Sequence, residues 1–130
     1  MSKKYSHKIK VYYEDTDSGG VVYYANYLKF LERARSEMLN SVKLSNLKLL
    51  KENNVLIVVK SCNINFKKPA RLEDELEIIS FVKSTTKTSF IMHQSIIKEK
   101  ETISEAEVHL VVVNDKGKPT KFPDTLKSII

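Results

Sequence analysis

The chain has 130 residues, of which 42% are hydrophobic and 29% are charged, values typical of a globular protein and not of a disordered one. Its length predicts a single domain spanning residues 1–130. One cysteine excludes an internal disulfide framework, and three scattered histidines give no metal-ligand spacing. We therefore expect neither a metal nor another cofactor.

The net charge of +6 invites a nucleic-acid interpretation, but the lysines are spread along the chain and interleaved with acids, without a nucleic-acid-binding motif. Such a surface equally suits a nucleotide phosphate or an anionic lipid face. The N-terminus lacks the apolar segment of a signal peptide, and no run approaches the ~18 apolar residues of a membrane span. These features predict a cytoplasmic protein without a nucleic-acid partner or a transmembrane segment.

The first elements are one strand and a long helix. Alternation of Ile9, Val11 and Tyr13 predicts a half-buried strand over residues 8–14. A helix is predicted from Asn26 to about Val42, and the sequence 45–53 predicts a second, short one. The first helix is apolar enough to be wrapped by other elements, because its apolar residues recur at helical spacing: Tyr27, Leu28, Leu31, Ala34, Met38, Leu39 and Val42.

Four long strands follow, at 55–66 and about 75–84, 88–99 and 102–114. After them, residues 122–130 are predicted as a closing loop with at most one helical turn. This order predicts an α+β fold with an antiparallel sheet whose concave face covers the long helix.

The face of each predicted strand follows from period-two alternation. In residues 55–66, Val58 is placed on one face with Cys62, Ile64 and Phe66, so that Cys62 is predicted to be a buried thiol. The opposite side of the sheet would retain apolar residues and so predicts an oligomer interface: Ile57, Val59, Ile79, Phe81, Ile91, Ile97, Val111 and Val113.

The most informative stretch, residues 12–27, places Asp17 beside Gly19-Gly20 and just ahead of the predicted helix. Amides at a helix N-terminus lack intrahelical partners, and the helix dipole favours negative charge there. A carboxylate that attacks, or activates water, beside such donors is the minimal equipment for acyl transfer. Acidic and glycine residues before a helix are also the ordinary material of turns and caps. Residue chemistry alone leaves both interpretations open.

The sequence YEDTDSGGVVYYANY at 13–27 closely resembles the signature of the hotdog-fold acyl-CoA thioesterases. Within them it is similar to the 4-hydroxybenzoyl-CoA thioesterase branch and its Tol–Pal-associated, YbgC-type bacterial members. The similarity continues through 31–37, 65–70 and 74–78 and so covers most of the chain. It implies a hotdog fold, in which a five-stranded antiparallel sheet is wrapped around one long central helix. It also implies a homodimer or homotetramer with active sites at the subunit interface.

The resemblance also implies residue roles in a metal-free hydrolysis. Asp17 occupies the position of the catalytic carboxylate, which serves as nucleophile or general base in different members. The backbone amide of Tyr24 would polarise the thioester carbonyl, and Gly20 would allow close approach, with Val21 and Tyr23 beside the substrate. Many Tol–Pal-associated members have His where this chain has Tyr24, so no role is assigned to that side chain.

The nucleotide of CoA is held in related enzymes by a segment that matches Lys87, Thr88 and Ser89. These residues are equally interpretable as an ordinary exposed turn. The segment has fewer basic residues than in the hydroxybenzoyl enzyme, and Lys67, Lys68 and Arg71 are candidates to compensate.

Other residues of the signature have structural interpretations. Glu14 and Asp15 are predicted to cap or bond a turn, and Asn26 to be the helix N-cap. Tyr13 and Tyr27 are predicted to belong to the core or a pocket wall.

We therefore predict a thioester hydrolase acting on short-to-medium acyl-CoA, with longer or aromatic acyl-CoA as further candidate substrates. An acyl carrier protein is the alternative carrier. The alternative function is a non-catalytic acyl-carrier or envelope-complex adaptor, which would tolerate loss of the Asp17 carboxylate.

Overall fold

One antiparallel sheet of five strands forms the frame of the fold, in the spatial order β1-β3-β4-β5-β2. The computed structural model describes residues 3–129. The helices are α1 (Asn26–Ser41) and α2 (Asn46–Asn53), with 3₁₀ turns at Tyr13–Asp15 and Asp124–Ile129. The strands are β1 (Tyr5–Lys10), β2 (Val55–Phe66), β3 (Glu75–Thr85), β4 (Ser89–Lys98) and β5 (Glu101–Asn114). The predicted α+β architecture is confirmed, and no helix within the described range has the length and apolar character to cross a membrane.

Helix α1 packs against one face of the sheet because its apolar residues form one stripe. Phe30, Leu31, Ala34 and Met38 are each at most 3% exposed and join the core with the inward side chains of the strands. Leu28, which the sequence pattern included in that stripe, is instead 49% exposed.

A buried polar cluster fixes α1 against the middle of the sheet. Gln94 of β4 is fully buried, and its amide group donates to the carbonyl of Leu31 and the hydroxyl of Ser80, each at 3.0 Å. Its Oε1 accepts a hydrogen bond of 3.0 Å from Arg35. Because a buried amide is costly unless bonded, these contacts specify how the helix is seated.

The first strand is earlier than predicted. It ends at Lys10, and residues 13–15 form a 3₁₀ turn instead of extending it. The turn is stabilised by the Asp15 carboxylate, which accepts the N–H of Tyr12 at 3.0 Å. Tyr13 is consequently 80% exposed, so it does not belong to the core, and its alternative place in a pocket wall stays a prediction. Tyr27 is buried as predicted.

Strand β2 contains an irregularity at Lys60 that reverses its alternation. Val59 lies opposite Leu110, but Ser61 lies opposite His109, so one extra residue is inserted between them. Ile57 and Val59 therefore face α1, and the prediction that put them on the outer face with Val58 on the inner one is wrong.

Cys62 faces inward as predicted but is not buried. It lies opposite Val108, an inward residue of β5, yet its thiol is exposed. The reason is that β2 is an edge strand, and no strand in the described part of the chain covers its outer side.

Candidate active site

The acidic and glycine residues of the signature form a small hairpin. Thr16 bridges Val22, the N–H of Asp17 donates to the carbonyl of Val21 at 2.9 Å, and the N–H of Gly20 donates to the carbonyl of Asp17 at 3.1 Å. Gly20 closes the turn at φ +80°, a conformation that side chains other than glycine rarely adopt. The turn therefore places Asp17 at the tip of a tightly bonded loop.

The Asp17 carboxylate is exposed and has a defined orientation. Its Oδ1 accepts the N–H of Gly19 at 2.8 Å. A side chain at position 19 would put its Cβ only 3.3 Å from that oxygen. Glycine at this position therefore avoids a tight contact with the oxygen that the turn holds in place.

The N-terminus of α1 is left open beside this hairpin. Ala25 occupies the N-cap position and has no side-chain cap, so the predicted N-cap role of Asn26 is wrong. Asn26 instead donates from Nδ2 to the carbonyl of Asp15 at 2.9 Å. Within residues 3–129, no protein acceptor pairs with the N–H groups of Tyr24 and Ala25. Such free donors at a helix start are suited to hold a developing oxyanion.

The acids that precede Asp17 differ in their surroundings. Asp15 is 5% exposed and bonds the backbone of Tyr12, which confirms its predicted structural role. Glu14 is exposed. Asp17 is thus the acid of this turn that combines exposure with an oriented carboxylate.

Aromatic side chains surround the helix start. The ring of Phe66 lies 6.5 Å from that of Tyr24 and 5.0 Å from that of Tyr27, centre to centre. A hydrogen bond that the Tyr23 hydroxyl donates to the neighbouring Tyr24 side chain favours the protonated form and raises the pKa of Tyr23. Both rings are about half exposed or more. A shallow cleft of about 270 Å³ is lined by the rings of Tyr24, Tyr27 and Phe66 together with Lys67 and Lys68.

Three of the predicted binding residues, Lys87, Thr88 and Ser89, lie far from Asp17 within one chain. Lys87 and Thr88 belong to the turn between β3 and β4. The Asp17 hairpin bonds to residues 70–72 and therefore lies at the opposite end of the sheet, where β3 begins. The length of β3 puts roughly 30 Å between these ends. Lys87 is exposed, whereas Ser89 is buried and its hydroxyl bonds that of Thr86 at 2.7 Å. Val21 is half-buried in the hairpin.

An apolar cavity of about 140 Å³ lies between the later turns of α1 and the sheet. Glu32, Arg35 and Ser36 give its wall a polar portion. Burial lowers the pKa of the Arg35 guanidinium, which the nearby Glu32 carboxylate opposes. The apolar wall is formed by Met38, Leu39, Ile57, Val59, Phe90, Met92, Leu110 and Ile129.

Sequence reasoning missed this cavity and the residues that line it. A signal existed in β4, where Gln94 occupies an inward position in the alternation of Phe90, Met92 and Ile96. A lone amide in such a series indicates a specific polar partner on the facing element. Here that partner is Arg35 at the cavity.

No three His, Cys, Asp or Glu side chains within the described residues are placed to hold a metal ion together. The described residues of the hairpin and the adjoining helix start supply an oriented carboxylate and amide donors.

Comparison with known proteins gives the family. A sequence profile described as the thioesterase-like superfamily matches residues 11–130. The chain belongs to this superfamily. It is 43% identical over 120 residues to the acyl-CoA thioester hydrolase YbgC of Escherichia coli O6:H1, covering 91% of this chain and 89% of that relative. It is 37% identical over 129 residues to the acyl-CoA thioesterase YbgC of Haemophilus influenzae, covering 98% and 95%.

Among solved structures, a probable thioesterase from Bartonella henselae superposes with a TM-score of 0.89 at 33% identity, covering 93% of this chain and 100% of that one. These matches confirm the resemblance to the YbgC-type branch, the hotdog fold and the assignment of the chain as a thioester hydrolase of the thioesterase-like superfamily.

Proposed function

We propose that this member of the thioesterase-like superfamily hydrolyses short-to-medium acyl-CoA thioesters, with Asp17 as the catalytic carboxylate. The observation that carries the proposal is the oriented Asp17 carboxylate together with the amides of Tyr24 and Ala25, which have no protein acceptor among residues 3–129. The names of the YbgC relatives support acyl-CoA as the substrate.

In the general-base route, Asp17 takes a proton from water as the water oxygen attacks the thioester carbonyl carbon. The carbonyl oxygen becomes an oxyanion that accepts a hydrogen bond from the Tyr24 amide. The intermediate collapses, the C–S bond breaks, and the departing thiolate recovers the proton from Asp17. In the nucleophilic route the carboxylate itself attacks, releases the thiolate and forms an anhydride that water then hydrolyses. Both routes need an ionised carboxylate at position 17.

We further propose that two copies of the chain form a homodimer along β2 and complete each other's sites. β2 is a 12-residue edge strand, and no strand among the described residues pairs with its outer edge. Leu56, Val58 and Val59 on it are exposed, so this edge is suited to pair with another strand. In an antiparallel pair, the Phe66 end of one β2 meets the Val55 end of the other. The first end adjoins the Asp17 hairpin, and the second adjoins the cavity.

The same arrangement explains why the predicted binding residues are separated within one chain. The turn with Lys87 and Thr88, together with the buried Ser89, lies at the cavity end of the sheet. Across a dimer, this turn would approach the partner's hairpin and place Lys87 near the phosphates of the bound CoA. Two such dimers forming a homotetramer would leave this shared site unchanged.

The cavity supports a limit on the acyl group. Its volume of about 140 Å³ is close to that of an apolar cavity of about 150 Å³ that accepts benzene. An acyl tail of about that bulk would fill it, and each further buried methylene that found room would contribute about 0.8 kcal/mol. The polar wall at Arg35 would exclude tails that extend past it.

The test is the release of thiol from a panel of acyl-CoAs, short, long and aromatic, by the wild-type protein and by Asp17→Asn. We expect hydrolysis to fall by at least ~100-fold with the fold intact, because the substitution keeps the shape and removes the base or nucleophile. Asp115→Asn, in an exposed turn at the other end of the sheet, is the matched control and should keep wild-type turnover. Unchanged turnover in Asp17→Asn would overturn the assignment and favour an acyl-binding adaptor.

The same panel can compare each acyl-CoA with an acyl carrier protein bearing the same acyl group. A higher kcat/KM with the carrier protein would identify that protein, and not CoA, as the preferred acyl carrier. The proposed role of Asp17 would be the same for both carriers.

A further inference from the structure

We propose, resting on the function proposed above, that Asn26 and Tyr27 are positioning residues for catalysis. Their side chains hold the hairpin that carries Asp17 at a fixed place relative to the amides of the α1 N-terminus. Both residues belong to the first turn of that helix, so each connects the two parts of the site.

Asn26 holds the side of the hairpin that precedes Asp17. Its Nδ2 donates to the carbonyl of Asp15 at 2.9 Å. The same carbonyl accepts the N–H of Tyr23 at 3.0 Å. The helix thus reaches back to the residue two positions before the carboxylate.

Tyr27 holds the side of the hairpin that follows Asp17. Its buried hydroxyl accepts the N–H of Ala70 at 2.9 Å, and Ala70 is fully buried. The carbonyl of Ala70 in turn accepts the N–H of Val22 at 2.8 Å, and the N–H of Leu72 donates to the carbonyl of Gly20 at 3.1 Å. Segment 70–72 is therefore bonded both to Tyr27 and to the glycine turn, so the position of Tyr27 determines that of the turn.

That segment is itself fixed, so it can transmit a position. The Asp74 carboxylate accepts the N–H of Arg71 at 2.7 Å and pairs with Lys98 at 2.9 Å. The N–H of Glu73 donates to the carbonyl of Val11 at 3.0 Å. The backbone around Ala70 is thus bonded to β4 and to the residue that follows β1.

Rate depends steeply on such placement, since a shift of about 1 Å in a catalytic group costs on the order of 100-fold in turnover. Asp17 and the Tyr24 amide belong to different local structures, the hairpin and the helix. The Asn26 and Tyr27 side chains fix the distance between them from both sides of Asp17.

The experiment uses Tyr27→Phe and Asn26→Leu. Tyr27→Phe removes only the hydroxyl and keeps the ring contacts with Phe30 and Phe66. The matched control is Tyr5→Phe, because Tyr5 is also buried but its hydroxyl has no partner within the described residues. Asn40→Leu, near the other end of α1, is the control for Asn26→Leu.

We expect each test variant to lower kcat about tenfold with KM within about twofold of wild type, and the controls to leave both parameters unchanged. Hydrogen exchange at the amides of Asp17, Gly20 and Val22 should accelerate in the test variants, while sheet amides keep their protection. A purely structural role would instead lower the melting temperature and leave kcat intact at temperatures where the protein is fully folded.

Wild-type kcat in both folded variants, or unchanged exchange in the hairpin, would overturn this inference. It fails separately from the proposed function. If Asp17→Asn abolishes hydrolysis while Asn26→Leu and Tyr27→Phe keep wild-type kcat, only the positioning role is lost.

Discussion

The two ends of the sheet differ in charge and in structure. The end that carries the hairpin, made by residues 8–25, 65–78 and 95–105, has ten acids and seven bases. The end that carries the cavity, made by residues 40–60, 84–90 and 110–129, has nine lysines and three acids. The net charge of +6 is therefore concentrated at the cavity end.

This difference changes the meaning of the overall charge. A polarised molecule does not offer a uniform basic surface to nucleic acid, and its basic end suits a compact polyanion such as a nucleotide. Antiparallel pairing of two copies along β2 would also bring the acidic end of one chain to the basic end of the other. Complementary potentials of this kind favour the antiparallel dimer and disfavour a parallel one.

The strongest test of the comparison is complementation between two inactive variants. Asp17→Asn removes the hairpin chemistry, and Ile57→Trp should block the cavity, whose wall contains Ile57. If each site takes its hairpin from one chain and its cavity from the other, a mixed dimer has one intact site. Refolding the two variants together in equal amounts should then restore about a quarter of wild-type activity, because half of the dimers are mixed.

In that experiment the separately refolded variants should stay inactive. Complete inactivity of the mixture, with mixed dimers demonstrated by tagged subunits, would place hairpin and cavity chemistry within one chain.

The second test removes one charge from the basic end. Lys87→Gln should raise KM for acyl-CoA about tenfold without changing kcat, the effect of losing one charge-assisted phosphate contact. The salt dependence of KM should weaken as well. Lys10→Gln, at the acidic end, is the comparison variant, and an equal rise in KM for both would show that Lys87 has no special contact.

A smaller effect is expected for lysines beside the aromatic cleft. Lys67 lies 2.8 Å from Glu105 and Lys68 lies 2.6 Å from Glu101, so each positive charge already has a partner. Lys67→Gln should therefore change KM for acyl-CoA by less than about twofold. A change as large as that of Lys87→Gln would move the phosphate site to the hairpin end.

The smallest expected effect is a pH dependence at the acidic end. The hydrogen bond from Lys67 lowers the pKa of the Glu105 carboxyl below its ordinary value. The ion pair of Glu105 with Lys67 therefore stabilises the fold at pH values above the ordinary carboxyl pKa of about 4.3. This stabilisation disappears as the pH falls through the lowered pKa of Glu105. Thermal melting from about pH 7 down to about pH 3 should show a small stability advantage of wild type over Glu105→Gln that closes at the acidic limit. An advantage that grows on acidification would contradict this sign.

Local patterns predicted most of the architecture. Strands from residue 75 onward lie within one residue or so of their predicted bounds, because period-two alternation and short turns determine them locally. Ser45 caps α2 by accepting the N–H of Lys48 at 3.0 Å, a contact set within four residues. The glycine turn is local in the same way, whereas the catalytic role proposed for Asp17 came from the resemblance of residues 13–27 to the thioesterase signature and stays a prediction.

Errors occurred where the deciding partner is remote in sequence. The irregularity at Lys60 is defined by how β2 pairs with β5, whereas the sequence of β2 by itself predicts an unbroken alternation. Asn26 has the chemistry of an N-cap, but the Asp15 carbonyl eleven residues earlier competes for its side chain. The distance between Lys87 and Asp17 within one chain could not be predicted from local sequence either, because it depends on which end of the sheet each turn occupies.

The insertion at Lys60 has a consequence for changes in chain length. Residues on its two sides keep their own partners, Val59 with Leu110 and Ser61 with His109, so Lys60 belongs to neither half of the strand. A variant lacking this one residue would retain every inward and outward side chain of β2 while losing the local bend. Deletion of a residue further along, such as Asn63, would instead move the side chains that follow it to the opposite face of the sheet. Position 60 is therefore where this edge strand can lose a residue while its inward and outward faces keep their side chains.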